Sequence, residues 1–86
     1  MKVTRESVAK QLGDYLSGAL PLSGLVDWAE AAMCDGEFDE SQAAVLADVV
    51  SRLGLADVRA FGLTWEECRE MLRSLGFSTK VDLVAA

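Results

Sequence analysis

The residues most suggestive of chemistry are four acids that crowd around one glycine near the middle of the chain. They are Asp35, Glu37, Asp39 and Glu40, and Gly36 separates the first two. Carboxylate oxygens are the ligands that Ca²⁺ and Mg²⁺ prefer, and a glycine at a sharp turn is part of the EF-hand calcium loop. This stretch is therefore the candidate for a divalent-cation site.

The EF-hand pattern lacks ligands at the positions that matter most. With Gly36 placed on the loop glycine, Ala31 and Met33 occupy the first and third ligand positions and Gln42 occupies the twelfth. Apolar side chains do not bind calcium, and an amide cannot chelate it as a bidentate carboxylate does. We therefore predict no metal or cofactor and keep a weak cation site as an alternative. The same residues suit a turn followed by a helix cap.

Histidine is absent from the chain, and the two cysteines are Cys34 and Cys68. Histidine is the usual general base near neutral pH, so Ser–His and Cys–His nucleophilic pairs cannot form within this chain. Each cysteine lies within an apolar helical pattern, which predicts two buried free thiols rather than a disulfide. We expect no catalytic residue and hence a protein that is not an enzyme.

The negative charge is concentrated in the first half of the sequence. The 86 residues have a net charge of −6, and residues 1–48 alone carry nine acids and three bases. An acidic surface repels phosphate backbones, so we expect no nucleic-acid binding. The acidity suits a basic protein partner or simply solubility. No apolar run approaches the ~20 residues of a membrane span, and the polar start predicts a cytoplasmic protein.

Helical periodicity and capping residues predict a single, mainly α domain over residues 1–86. We expect a compact bundle of four amphipathic helices with a short C-terminal β-strand. The predicted helices cover about 5–17, 21–35, 40–53 and 65–75. Thr4, Asp39 and Thr64 have the side chains of N-caps. Glycines are predicted to end the helices, with the positive φ that a sharp stop requires, and they are Gly18, Gly36, Gly54 and Gly76. After Gly54, Leu55 is predicted to fold back onto Val50, as in a Schellman turn.

The period changes after the fourth helix. Phe77, Thr79, Val81 and Leu83 alternate with polar residues, which predicts an extended strand. Its partner could be residues 57–61, the 1–3 segment or another chain, so a homo-oligomer formed through this strand is an alternative function. For residues 57–61 we favour a helical turn over a short strand.

Several exposed positions form a candidate interaction surface. Asp27 and Glu30 lie outside the apolar face of the second helix, close in sequence to the acidic turn. Trp65 begins the fourth helix, where an aromatic residue is partly exposed and can serve as an interface anchor. The full candidate set is Asp27, Glu30, Asp35, Glu37, Asp39, Glu40 and Trp65.

The acidic turn resembles that of tellurite-resistance-B-like helical domains. In those domains an alanine and an Asp-Gly turn precede an acidic helix start, as Ala32, Asp35 and Gly36 precede residues 37–40 here. Gln42 stands where that family usually has a glutamate. The match covers about a quarter of the chain, and the resemblance implies a helical bundle.

Residues 15–20 (YLSGAL) and 25–30 (LVDWAE) are similar to the opening of small bacterial helical proteins, including colicin-type immunity proteins. In those proteins a helix ends in a Leu-Ser-Gly turn, and the next helix carries an aromatic residue on its inner face, as Trp28 would. The resemblance implies a small acidic protein that neutralises a basic toxin. The leading hypothesis is therefore a non-catalytic bacterial interaction module, immunity- or antitoxin-like, that binds a basic partner.

Overall fold

In the computed structural model, residues 1–58 and 63–78 are described, and they form four α-helices and one two-stranded parallel sheet. The helices are α1 (Arg5–Leu16), α2 (Leu22–Asp35), α3 (Ala43–Gly54) and α4 (Trp65–Ser74), and the strands are β1 (Lys2–Val3) and β2 (Glu37–Phe38). Short 3₁₀ turns flank α3 at Glu40–Gln42 and Ala56–Val58. The predicted mainly helical fold is confirmed.

The beginning of α1 is fixed by a reciprocal cap. Thr4 has extended backbone, and its hydroxyl accepts a hydrogen bond from the Ser7 N–H at 3.1 Å. The Thr4 N–H donates to the Ser7 hydroxyl at 2.9 Å, so two amides at the helix start have partners. Gly18 lies just past the helix at φ +86°, as its sequence position predicts.

Helix α4 begins and ends with the predicted signals. The Thr64 hydroxyl accepts from the Glu67 N–H at 3.1 Å, and Gly76 takes a φ of +91° after the last turn. The Phe77 N–H then donates back to the Leu72 carbonyl at 2.9 Å, which is the long hydrogen bond of a Schellman turn. These contacts satisfy polar groups that a helix end would otherwise leave to solvent.

The core is built chiefly by α2 against α3, and α1 packs against both of them and against α4. Every buried side chain in the described part of the chain is apolar. The fully buried large side chains are Val3, Val8, Leu12, Leu25, Leu46, Val49, Val50, Leu53, Cys68, Met71 and Leu75. Trp28 and Phe38 are half-buried and pack against this core. Removing this apolar surface from water is the main stabilising contribution.

Strand β2 and its pairing with the N-terminal segment were not predicted from the sequence. Lys2 pairs with Glu37 and Val3 with Phe38 in parallel register. The Glu37 N–H donates to the Met1 carbonyl at 2.7 Å and the Asp39 N–H donates to the Val3 carbonyl at 3.0 Å, as in a parallel ladder. Two residues are too few to show a period of two, so periodicity carries no signal for such a bridge.

The predicted C-terminal strand is not seen in the described residues. Phe77 and Ser78 are not in a strand, and the rest of the predicted segment, residues 79–83, lies outside the described residues. The predicted helical turn at 57–61 begins as the 3₁₀ turn Ala56–Val58, and its remainder also lies outside them. The 1–3 segment, considered as a mate for that strand, pairs with β2 instead.

At three predicted helix boundaries the structure differs from the prediction in detail. Gly36 has φ −76° and ψ 139°, which any residue can adopt, so the reason for a glycine there is space rather than positive φ. Gly54 does not take a positive φ either, and Leu55 is 59% exposed instead of folding back on α3. Pro21 is the N-cap of α2 rather than its first residue.

Candidate interaction surface

The acids are concentrated in the segment that contains α2, β2 and α3. This segment is shorter than residues 1–48, to which the sequence assigns the negative charge, and it is more acidic. Residues 22–58 contain eight acids and one base, Arg52, which gives −7 (one minus eight), whereas the rest of the chain sums to +1. The eight acids are Asp27, Glu30, Asp35, Glu37, Asp39, Glu40, Asp48 and Asp57. All eight are exposed.

Ion pairs among the described residues lie outside this unit. Arg5 contacts Glu6 at 3.4 Å and Lys10 contacts Asp14 at 3.0 Å, both in α1. In α4 an arginine pairs with a glutamate of the same helix at 3.9 Å. None of the eight acids has a basic partner in the described residues. Their charge therefore acts outward into solvent, where it raises the local concentration of cationic groups.

Within the acidic turn, one carboxylate has a structural role. Asp39 Oδ1 accepts from the Ser41 N–H at 3.2 Å and from the Ser41 hydroxyl at 3.0 Å, so Asp39 is the predicted cap. It caps the 3₁₀ turn Glu40–Gln42, and α3 begins only at Ala43, later than predicted. Asp35, the last residue of α2, has no such role, and no base lies in the last turn of that helix.

The geometry of the turn does not gather metal ligands. Across the described residues, no three His, Cys, Asp or Glu side chains lie close enough to hold a metal ion. Glu37 lies in a strand with its side chain exposed, while Asp39 is turned toward Ser41. The cation-site alternative therefore has no geometric support.

Trp65 is partly exposed, as expected, but it belongs to another element. It is 41% exposed at the first position of α4, and α4 packs chiefly against α1. The other six predicted site residues lie on α2, β2 and the turn before α3. These six acids thus lie within the continuous stretch of residues 27–40, whereas Trp65 belongs to a different helix.

An exposed apolar depression, which no pattern in the sequence predicts, lies between the C-terminal halves of α2 and α3. It has a volume of about 460 Å³ and is lined by Glu30, Met33, Cys34, Ser51, Gly54 and Leu55. Met33 is 51% exposed, although its helical spacing from Leu25 and Ala29 predicts a position on the apolar face of α2. Leu25, Ala29 and Ala32 form that face, and Met33 follows them at the edge of the stripe.

The two cysteines differ in their surroundings. Cys34 is exposed beside Met33, so the prediction that it is buried is wrong, whereas Cys68 is fully buried in the core as predicted. Burial, with a smaller contribution from the charge of Glu67, raises the pKa of the Cys68 thiol from 9.0 to about 11. A thiol held neutral at pH 7 is a poor nucleophile, so Cys68 serves the core.

No helix in the described part of the chain is both long and apolar enough to cross a membrane. A comparison of the chain with protein-family models, with curated proteins and with solved structures finds no match.

Proposed function

We propose that this chain is a non-catalytic interaction module, and that the segment from α2 through α3 binds a basic protein. The observation that carries the proposal is the net charge of −7 on residues 22–58, with eight exposed acids that have no basic partner among the described residues. Complementary potentials steer partners together and discriminate against partners of the same sign.

The chemistry of the chain supports a binding role rather than a catalytic one. It lacks histidine, and its buried thiol is held in the neutral form. The resemblance of residues 15–20 and 25–30 to colicin-type immunity proteins suggests a basic toxin as the partner. In that version of the proposal the pair acts in the bacterial cytoplasm, and the acidic surface covers the cationic face that the toxin uses.

The proposal is tested with two triple variants that remove the same amount of charge from different places. One is Asp27→Asn/Glu30→Gln/Glu37→Gln in the acidic segment. The other, Glu6→Gln/Asp14→Asn/Glu70→Gln, neutralises three acids of α1 and α4. Both variants have a net charge of −3, so a difference between them reports where the charge lies rather than how much there is.

The first measurement uses a lysine-rich peptide as the probe and isothermal titration to obtain its Kd. We expect the acidic-segment variant to bind at least about tenfold more weakly than the wild type, with the α1/α4 variant within about threefold. Binding should weaken between low and high salt because the charges are exposed. In a pull-down from the source cells, a retained basic protein should be lost with the first variant and kept with the second. Equal weakening by both variants would mean that binding depends only on the net charge of the protein and not on where the acids lie, and it would refute the proposal.

A further inference from the structure

The depression between α2 and α3 has an apolar lining set among carboxylates. Met33 and Leu55 are 51% and 59% exposed, and because both line this depression their apolar surface forms one patch rather than two scattered side chains. Gly54 forms part of the floor, where an added Cβ would meet the Ala29 Cβ at 3.9 Å, so the two helix backbones are close together here.

The charge around this depression is mainly negative, with one base, Arg52, next to the lining residue Ser51. Glu30 lines the rim, Asp27 lies one turn before it on the same helix, and Asp35 directly follows Cys34. All three are exposed and have no basic partner in the described part of the chain. A ligand that combines aliphatic groups with positive charge therefore suits this depression best.

We infer that the depression is the anchor site for a basic amphipathic helix of a partner protein, an inference that rests on the proposed function. A helix presents two aliphatic side chains together at positions i and i+4, and its other positions can carry lysine or arginine toward Glu30 and Asp35. Charge argues against a second copy of this chain as the occupant, because two such faces would bring their carboxylates together.

Two synthetic peptides of about 16 residues, long enough to adopt a helix, separate the apolar contribution from the charge. Both carry the same lysines on an alanine background, and one has a leucine pair at i and i+4 where the other has alanines. Titration calorimetry gives each Kd, and ¹⁵N NMR identifies the residues that respond. We expect the leucine peptide to bind about tenfold more tightly, with the largest shifts at Met33, Ser51 and Leu55.

Protein variants then show which residues cause the preference for the leucine peptide. Leu55→Ser and Met33→Gln each remove an exposed apolar side chain from the depression, so each should reduce the tenfold preference to about twofold or less. Val45→Ser is the matched control, because Val45 is also exposed on α3 but does not line the depression. It should leave the preference intact. Having one test variant in α2 and one just after α3 covers the case in which one of them fails to fold.

The outcomes separate this inference from the proposed function. If the two peptides bind with equal affinity, or if Val45→Ser lowers the preference as much as Leu55→Ser, the anchor site is refuted while binding of a basic partner stands. Failure of both peptides to bind refutes the proposed function and the anchor site together. A dimer in solution that Leu55→Ser dissociates would identify a second copy as the occupant and overturn the inference.

Discussion

A single methyl group added at Gly36 should destabilise the protein, because this residue lies at the closest approach of α2 to β1. A Cβ built on Gly36 collides with the carbonyl oxygen of Ala32 and comes within 2.7 Å of Val3 Cγ2. The first of these atoms belongs to the helix backbone and cannot rotate away. Either the last turn of α2 or the β1–β2 pairing has to shift.

The size of the effect follows from these contacts. Overpacking at a buried junction costs about 1–3 kcal/mol, and weakening the 2.8 Å hydrogen bond from the Gly36 N–H to the Ala32 carbonyl costs about 1 kcal/mol more. Alanine also lowers the conformational entropy of the unfolded chain relative to glycine, which offsets about 0.4–1 kcal/mol of this loss in stability. The net loss for Gly36→Ala is therefore about 1–3.6 kcal/mol, which corresponds to a Tm lowered by roughly 4–29 °C in a domain of this size.

The chain offers a matched control in Gly13→Ala. Gly13 is exposed within α1, and a Cβ added there meets nothing within 4 Å. That substitution should raise the free energy of unfolding by about 0.5–1 kcal/mol, because alanine favours a helix interior. Urea denaturation followed by circular dichroism measures both variants.

A double-mutant cycle identifies the source of the loss. Val3→Ala removes one of the two groups that the new methyl would meet, so Gly36→Ala should be less costly in that background. If Gly36→Ala is as stable as the wild type, or if its cost is unchanged when Val3 is truncated, the close approach described here is wrong.

Three further predictions follow from other features. Asp35→Asn should raise the Tm by about 2–6 °C in a melting experiment, since a carboxylate at the C-terminus of α2 opposes the helix dipole, whereas Asp27→Asn in the second turn should not raise it. Gly76→Ala should cost about 1–2 kcal/mol in urea denaturation because φ is +91°, and an unchanged midpoint would contradict this. The free energy of unfolding should fall from pH 9 to 11 more steeply in the wild type than in Cys68→Ala. The reason is that the pKa of the thiol is near 9.0 in the unfolded chain but about 11 in the native protein, where it is buried. Parallel curves of stability against pH for the two proteins would contradict burial as the cause.

Local signals in the sequence predict most of this fold. Thr4 and Thr64 cap their helices as expected, and Gly18 and Gly76 take the predicted left-handed conformation, because capping depends on a few neighbouring residues. Gly36 was assigned to the right boundary for the wrong reason. Its neighbour across the fold is Val3, and a contact between residues so distant in sequence leaves no local pattern.

The candidate site was predicted only in part, again because contacts between residues that are distant in sequence leave no local pattern. Net charge and the exposure of Asp27 and Glu30 follow from composition and helical periodicity. The exposure of Met33, Cys34 and Leu55 does not, because periodicity shows which face of a helix is apolar but not how far the neighbouring helix covers it. Where α3 ends against α2 depends on tertiary packing, and the depression arises there.

The parallel pairing of β1 with β2 also has a consequence for the order of folding events. It joins Val3 to Phe38, so α1 and α2 together form the crossover between two neighbouring strands. Closing so long a loop carries an entropy penalty that the local capping contacts do not. The bridge should therefore form after the helices have docked, and a weakened bridge should accelerate unfolding while leaving the refolding rate nearly unchanged. Stopped-flow kinetics of Gly36→Ala would then place the N-terminal strand among the last parts of the protein to become native.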